Sequence, residues 1–313
     1  MKIIIAGGTG FVGQNLAPFL KNKGHEVTIL SRTKDKVKKI FKKEFKALEW
    51  SDLKPANLKN QDLVINLCGL SIGEHRWSKQ IKRELIASRA IPTETLASLC
   101  GHLKDESPRL FNASAVGVYG PQITAISENK APEPFTEQDP LPRQARNFLS
   151  EIGLKWENAL ISAIENNVSV TVLRFAVVLS DKGGALPQMA RPVKWGLGHT
   201  IGSGAQLFSW VHINDLISAI DFLINNPDIT GPVNIVSPQT INQRNFALAL
   251  GHALKRPIWL YLPSWLLIIL FGEMAQELLL SGQGVSPQKL VKAGFKFQYP
   301  RIKEALEEIY KKN

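Results

Sequence analysis

The chain opens on an unbroken apolar run, "KIIIA" (2–6), and changes character at the glycines that follow. A strand that stays apolar is covered on both faces, whereas one with a wet face alternates. From about Val12 to Lys23 the apolar positions recur at helical spacing, and "EVTIL" then returns to a strand pattern. The segments "DLVINLCG" (62–69), "RLFNASA" (109–115) and "SVTVLRFAVVL" from Ser169 read as further buried strands. Between the first two of these, "SKQIKRELIASRAIPTETLASLC" is helical in period but interrupted at Pro92, which predicts a bend or two consecutive helices. Strands alternating with helices in this way predict an α/β fold with a doubly wound parallel sheet.

Downstream of Leu179 the pattern dissolves. Six glycines between 183 and 204 break up a stretch rich in Pro, Trp and Arg, so residues 181–206 read as a loop without helix or strand, long enough to wall a substrate site. "SWVHINDL" puts His212 at a strand end and Asp215 in a helix start, either as capping groups or, for His212, as an acid/base residue. From about 231 short strands and helices alternate, with Asn242 as a helix cap. The apolar run "IWLYLPSWLLIILFG" from Ile258 is broken at Pro263 and falls short of the roughly 20 residues that span a bilayer. It is expected to be a buried helix in a domain core, with a helix lying on a membrane surface as the alternative. No long spacer precedes this half. The expected organisation is a dinucleotide-binding domain over 1–230 and a smaller α/β substrate domain over 231–313, packed over the cleft.

With 44% hydrophobic and 21% charged residues the chain is an ordinary folded protein rather than a disordered one. Its two cysteines, Cys68 and Cys100, form no disulfide framework and no metal-ligand spacing, and no other metal constellation occurs. "MKIIIA" is too short for the apolar core of a signal peptide, and a reducing, cytoplasmic location is expected. Most of the net charge of +11 is local, in a Lys/Arg cluster between residues 21 and 46. No aromatic platform interleaves it, so nucleic acid is not an expected partner. The cluster reads either as a solvated helix face or as a field that attracts phosphate.

Gly7, Gly10 and Gly13 stand at Gly-x-x-Gly-x-x-Gly spacing between the first strand and its helix. Chemistry that brings a pyrophosphate to a helix start needs a tight turn, open backbone amides and close packing of helix on strand. The turn residues Gly7, Thr9, Gly10, Phe11, Val12 and Gly13 are therefore expected to hold a dinucleotide, which makes the fold Rossmann-like. An acid at the tip of the second strand would select NAD. This chain has Ser31 and Arg32 instead, which suit the 2′-phosphate of NADP; the alternative is a plain surface arginine.

The glycine turn together with "NLCG", "SAVGVYG", "VLRFAVVLS" and "SWVHINDL" resembles the extended short-chain dehydrogenase/reductase superfamily. "RWSKQIKRELIASR", "KGGALPQMARPVKWGLGHTIGSGAQLFSWVHINDL" and "GEMAQELLLSGQGVSPQKLVKAGFKFQYP" narrow the resemblance to its atypical YfcH-like, or epimerase family protein, branch, with a small carboxy-terminal domain of its own. The resemblance implies an NADP-binding epimerase or oxidoreductase. It also implies cofactor contacts from the glycine turn, Ser31, Arg32, Leu67, Cys68 and Arg89. An arginine at 89 can neutralise a phosphate, and a helix-surface salt bridge explains it equally well.

The superfamily's catalytic Tyr-x-x-x-Lys is absent from its place. On the helix before "SVTVLRF", Leu149 and Gly153 hold the two positions, and Lys155 lies about half a turn off. The sole Tyr-x-x-x-Lys, Tyr299 to Lys303, is near the carboxy terminus and is a chance match. Ser114 and Tyr119 are the remaining candidate catalytic groups. Without a neighbouring lysine the Tyr119 phenol should keep its ordinary pKa of about 10, which suits carbonyl reduction rather than alcohol oxidation. The sequence leaves three readings open: an NADP-dependent oxidoreductase or epimerase acting on a small molecule, a non-catalytic NADP-binding sensor or scaffold, and a protein held at a membrane surface by the basic cluster and the apolar helix. Substrate and oligomeric state are not legible.

Overall fold

The computed structural model describes residues 1–122 and 132–311. Six segments in the first 175 residues form strands β1 (Lys2–Ala6), β2 (Glu26–Ser31), β3 (Lys46–Glu49), β4 (Leu63–Asn66), β5 (Arg109–Ala115) and β6 (Val170–Phe175). With the edge strand Gly231–Ile235 they make a seven-stranded sheet in the order 231–235, β6, β5, β4, β1, β2, β3. Every pairing is parallel. The fold is thus the doubly wound, Rossmann-like sheet that the sequence predicts. The chain reverses its winding direction between β1 and β4, and a crevice opens there at the carboxyl ends of the strands.

Each face of the sheet has its own core. Helices Phe11–Asn22 and Ile213–Asn225 cover one face, where Leu16, Leu20, Leu216 and Ile220 meet Ile3, Ile5 and Ile29. On the other, Leu96, Ala97 and Cys100 of the helix Lys79–Leu103 meet Ile4, Val64 and Leu110. That helix runs unbroken through Pro92, contrary to the expected interruption. Leu85, Arg89, Thr93, Leu96 and Cys100 line one buried stripe, and their packing outweighs the single backbone hydrogen bond that proline removes.

The stretch 181–206 is also more ordered than its glycines suggest. It contains the helix Leu186–Lys194 and the strand Gly198–Ile201, which pairs with Ile258–Leu262. Leu186, Ala190 and Val193 pack with Phe246, Leu250, Ile302 and Leu306 in a separate core. The smaller unit therefore draws on residues before 230 as well as after. The strand Gly231–Ile235, which follows the expected boundary, belongs to the large sheet. Leu290, Phe295 and Phe297 return to the main core, so the chain crosses between the two cores several times. Asp215 accepts the amides of Gln298 and Tyr299 at 2.7 and 2.9 Å and fastens this return.

The apolar run after Ile258 is not a buried helix. In Ser264–Phe271 only Leu267 is buried, while Trp265, Ile268, Ile269, Leu270 and Phe271 are exposed. No helix among the described residues is long and apolar enough to cross a membrane.

Candidate functional site

The turn between β1 and the first helix is built so that backbone alone occupies it. Gly7 has φ +73°, and a Cβ there would lie 2.7 Å from the Leu67 carbonyl. Gly13 lies so close to Gly8 that a Cβ would meet its Cα at 2.4 Å. The helix Phe11–Asn22 starts from Gly10 with no side-chain cap and no acid in its first turn. Its first internal bond is Gln14 N–H to the Gly10 carbonyl, leaving the amides of Phe11, Val12 and Gly13 to an external acceptor. Thr9 steadies the turn, its carbonyl accepting from Gln14 Nε2 at 2.9 Å. These features fit a diphosphate. Gly183 and Gly184 press on the Phe11 ring, so the segment expected to wall the site does begin against the glycine turn.

The strand tips bring the other cofactor candidates to the same edge. Ser31 is buried at the end of β2, and Arg32 beside it is exposed. Lys34 engages the carboxylates of this tip: its amide donates to Glu49 and its ammonium pairs with Asp52 at 2.7 Å. Arg32 forms no ion pair among the described residues, and its charge reaches the Cys68 thiol across the crevice. Burial nevertheless pushes that thiol up to about 12, so Cys68 is no nucleophile at neutral pH. Leu67 donates its amide to Ala6, and Cys68 donates its own to Asn66 Oδ1 at 3.1 Å. Four of the other eight lysines of the basic cluster pair on the surface: Lys21 with Glu44, Lys23 with Asp221, Lys38 with Asp35 and Lys46 with Glu26.

Arg89 is not in the surface salt bridge weighed for it. It is buried, makes no ion pair among the described residues, and donates to the Leu85 and Leu70 carbonyls at 2.9 and 2.8 Å. Its guanidinium lies 5.1 Å from the Trp156 ring, and burial lowers its pKa to about 10. It thereby braces the turn after Cys68 while remaining a cation without a counter-ion.

Ser114 and Tyr119 follow the neighbouring strand β5 into a closed polar cluster. Ser114 Oγ donates to Glu157 Oε1 at 2.7 Å. Arg174 grips the same carboxylate with two donors, Nε at 2.9 Å and Nη2 at 2.8 Å, and gives Nη1 to the Tyr119 hydroxyl at 2.8 Å. That hydroxyl also lies 2.9 Å from the Thr136 carbonyl oxygen and 3.0 Å from Asn234 Oδ1, an acceptor for its proton in either direction. Tyr119 is 1% exposed and its ring stacks on Phe135. Its phenol does not keep an ordinary pKa. Burial raises it, outweighing the Arg174 charge.

The two empty catalytic positions have a physical reason. A Cβ at Gly153 would stand 2.7 Å from Val118 Cβ and 2.8 Å from Val118 Cα, and Leu149 packs over Gly117. The helix Phe148–Asn158 thus lies directly on the turn that carries Tyr119, in the space a lysine would need. Lys155 points elsewhere, paired with Glu151 on the surface. Tyr299 and Lys303 are likewise outside the crevice: Tyr299 packs on His212, and Lys303 is an exposed partner of Glu307. His212 is a cap. Its Nδ1 accepts from Asn214 N–H at 3.1 Å, and Nε2 faces Glu308 at 3.0 Å. Asn242 caps its helix as expected.

Sequence reading had not singled out Glu157, Arg174 and Asn234. A signal existed: an arginine inside the apolar run "VTVLRFAVV" must find a buried counter-charge.

A doubly wound sheet with an uncapped glycine turn at its switch point defines a dinucleotide-binding protein. The chain belongs to the NAD dependent epimerase/dehydratase family, whose model matches residues 3–236; a second model, described as a domain of unknown function (DUF1731), matches 262–309. It is similar to an epimerase family protein of Staphylococcus aureus, 36% identical over 99% of both chains. The crystal structure of human epimerase family protein SDR39U1 (isoform 2) with NADPH superposes with a TM-score of 0.85, 31% identical over 99% of both chains. A nucleoside-diphosphate sugar epimerase from Corynebacterium glutamicum gives 0.75 at 27% identity, over 99% of this chain and 58% of that one.

Proposed function

We propose that the protein binds NADP(H) across the crevice and uses it as an oxidoreductase or epimerase on a small molecule. The observation that carries the cofactor choice is Arg32, exposed beside buried Ser31 at the tip of β2 and unpaired among the described residues. A guanidinium and a hydroxyl at this place bind a 2′-phosphate. The glycine turn receives the diphosphate. Leu67 and Cys68 line the β4 tip, and Arg89, a cation without a counter-ion, adds a favourable field. The relative solved with NADPH supports the same assignment.

Ser114 and Tyr119 are joined through Glu157 and Arg174, but each hydroxyl is already bonded within the protein, and the raised phenol pKa keeps Tyr119 protonated. A protonated phenol can only give a proton, so the reading that keeps Tyr119 as a catalytic group is carbonyl reduction by NADPH. The closed cluster also favours a second reading, an NADP(H)-binding sensor or scaffold without turnover. Calorimetric titration with NADPH and NADH, followed by single-turnover NADPH oxidation against a panel of small carbonyl compounds, tests both. Preference for NADPH with oxidation that slows in Tyr119→Phe supports the first. Preference for NADPH without oxidation by any carbonyl supports the second, and tighter binding of NADH overturns the assignment of Arg32.

A further inference from the structure

A surface helix normally turns a polar face to water. Ser264–Phe271 has none: Trp265 and Ile269, one turn apart, are 63% and 64% exposed, and Ile268, Leu270 and Phe271 accompany them. The strand just before it, Ile258–Leu262, turns Trp259 and Tyr261 outward. It pairs in parallel with Gly198–Ile201, which the exposed Trp195 and Leu197 precede, and the Trp259 indole donates to the Gly196 carbonyl at 2.9 Å. Chain segments distant in sequence thus converge on an apolar, aromatic-rich surface. Contiguous exposure of this kind marks a contact with another phase or molecule.

Charge identifies the occupant. Residues 182–214 and 236–272, which carry these side chains, contain no Asp or Glu; the acids beside them, Glu273 after the apolar helix and Glu304, Glu307 and Glu308 of the helix Ile302–Ile309, lie against Lys82, Arg301, His252 and His212. The same segments carry Lys182, Arg191, Lys194, Arg244, Lys255 and Arg256. Lys255 and Arg256 are exposed just ahead of the Trp259 strand, and the Arg191 guanidinium lies 4.8 Å from the Trp195 ring. Tryptophan and tyrosine settle at headgroup depth, aliphatic residues reach the acyl boundary, and lysine and arginine meet lipid phosphates. We propose that this face docks the protein on a bilayer surface containing anionic phospholipid, without crossing it. A second copy is a poorer occupant, because a two-fold pairing of the face would set its cations against one another. Single-stranded nucleic acid would use the aromatic rings and cations but gains nothing from Ile268, Ile269 and Leu270. The basic cluster at 21–46 runs from the end of the helix Phe11–Asn22 through β2 to β3 of the large sheet rather than lying on this face, and half of its ten Lys and Arg residues already pair with a carboxylate.

The test is co-sedimentation of the full chain with vesicles of phosphatidylcholine alone and of three parts phosphatidylcholine to one part phosphatidylglycerol. The anionic vesicles should bind at least roughly tenfold more tightly, and high salt should weaken binding. Trp265→Ser/Ile269→Ser should abolish it, and Lys255→Glu/Arg256→Glu should erase the lipid preference; these side chains are exposed, and unchanged NADPH affinity and melting temperature verify the fold. Failure to bind anionic vesicles, or equal binding to both kinds, overturns the proposal. So does a dimer in sedimentation equilibrium that Trp265→Ser/Ile269→Ser dissolves without any vesicle binding, which would make a second copy the occupant. Displacement from vesicles by a single-stranded oligonucleotide at equimolar concentration would assign the face to nucleic acid.

Discussion

Gly153 occupies the lysine position of the family's catalytic pair, and replacing it with alanine measures whether the structure has room for any side chain there. Two effects oppose each other. In the middle of the helix Phe148–Asn158, Gly→Ala should stabilise by about 1 kcal/mol through backbone entropy alone. Against this, the new Cβ would lie 2.7 Å from Val118 Cβ, 2.8 Å from its Cα and 3.0 Å from Cγ2, where carbon atoms ordinarily sit about 3.5–4.0 Å apart. A side chain can rotate away; a Cα cannot. Helix and turn must therefore separate by several tenths of an ångström along an interface that also holds Leu149 against Gly117. Overpacking of this kind costs about 1–3 kcal/mol, and the backbone obstruction puts it in the upper part of that range. The expected net is a loss of about 1–2 kcal/mol, or roughly 2–6 °C in melting temperature for a chain of this size. Thermal and urea unfolding of the apo protein give the readout. A Gly153→Ala protein that melts higher than wild type, as helix propensity alone requires, would refute the claim that this packing excludes the lysine.

Arg32→Ala should weaken NADPH by about 1.5–3 kcal/mol, the scale of a hydrogen bond to a charged group, and leave NADH nearly unchanged in calorimetric titration. Because Arg32 is exposed and unpaired among the described residues, the melting temperature should not move, and equal losses for both cofactors would remove it from the 2′-phosphate. Glu157→Gln leaves the buried Arg174 without its counter-charge and should cost about 3–5 kcal/mol in urea unfolding; a loss below about 1 would show that the cluster is not the clamp its geometry describes. His212 has its pKa lowered, first by burial, against the pull of Glu308. Above its ordinary value of about 6.5 both folded and unfolded forms are neutral, and below it the unfolded chain takes the proton first, so stability falls as pH drops from about 6.5 toward the lower folded value. His212→Asn, which can still cap the helix, should lose less stability than wild type between about pH 7 and pH 5, and an equal loss would assign that pH dependence to other groups.

The large sheet was legible because burial on both faces forces continuous apolar runs, and β1, β2, β4, β5 and β6 all have them. The strand β3 was not, since "KALE" is half-exposed and carries no such run. The glycine turn and the tip at Ser31 and Arg32 could be placed at one sheet edge for a local reason, because adjacent parallel strands end at the same edge, whereas Leu67 and Cys68 came only from the family resemblance. What depends on contacts distant in sequence could not be read. Pro92 looked like a break because the packing that carries the helix past it comes from β4 and β5. The glycines of 183–204 looked like disorder of pattern because Gly198 and Gly202 sit in and beside a strand whose partner begins at Ile258. The apolar run at 264–271 read as a core helix, with a membrane-surface helix as the alternative, because hydrophobicity alone does not separate a core partner from exposure.

The same distinction bears on the active-site question. A Tyr-x-x-x-Lys pair needs a helix held off the β5 turn by the width of a lysine, and here the helix has closed that gap with Gly153 against Val118. The space that remains is filled by charge instead. Glu157, four residues past Gly153 on the helix, reaches Ser114 on β5 and Arg174 on β6, and Arg174 passes the link to Tyr119. One ion pair thus ties two strands, a helix and a turn at the place where the family's tyrosinate would work. Arginine holds its proton at any physiological pH, so it cannot relay one, and its charge is already matched by Glu157. The cluster ties these elements together, and burial, which raises the Tyr119 pKa, keeps its phenol protonated. A hydride step at this site must therefore draw its proton from Tyr119 acting once as an acid, or from the substrate and solvent.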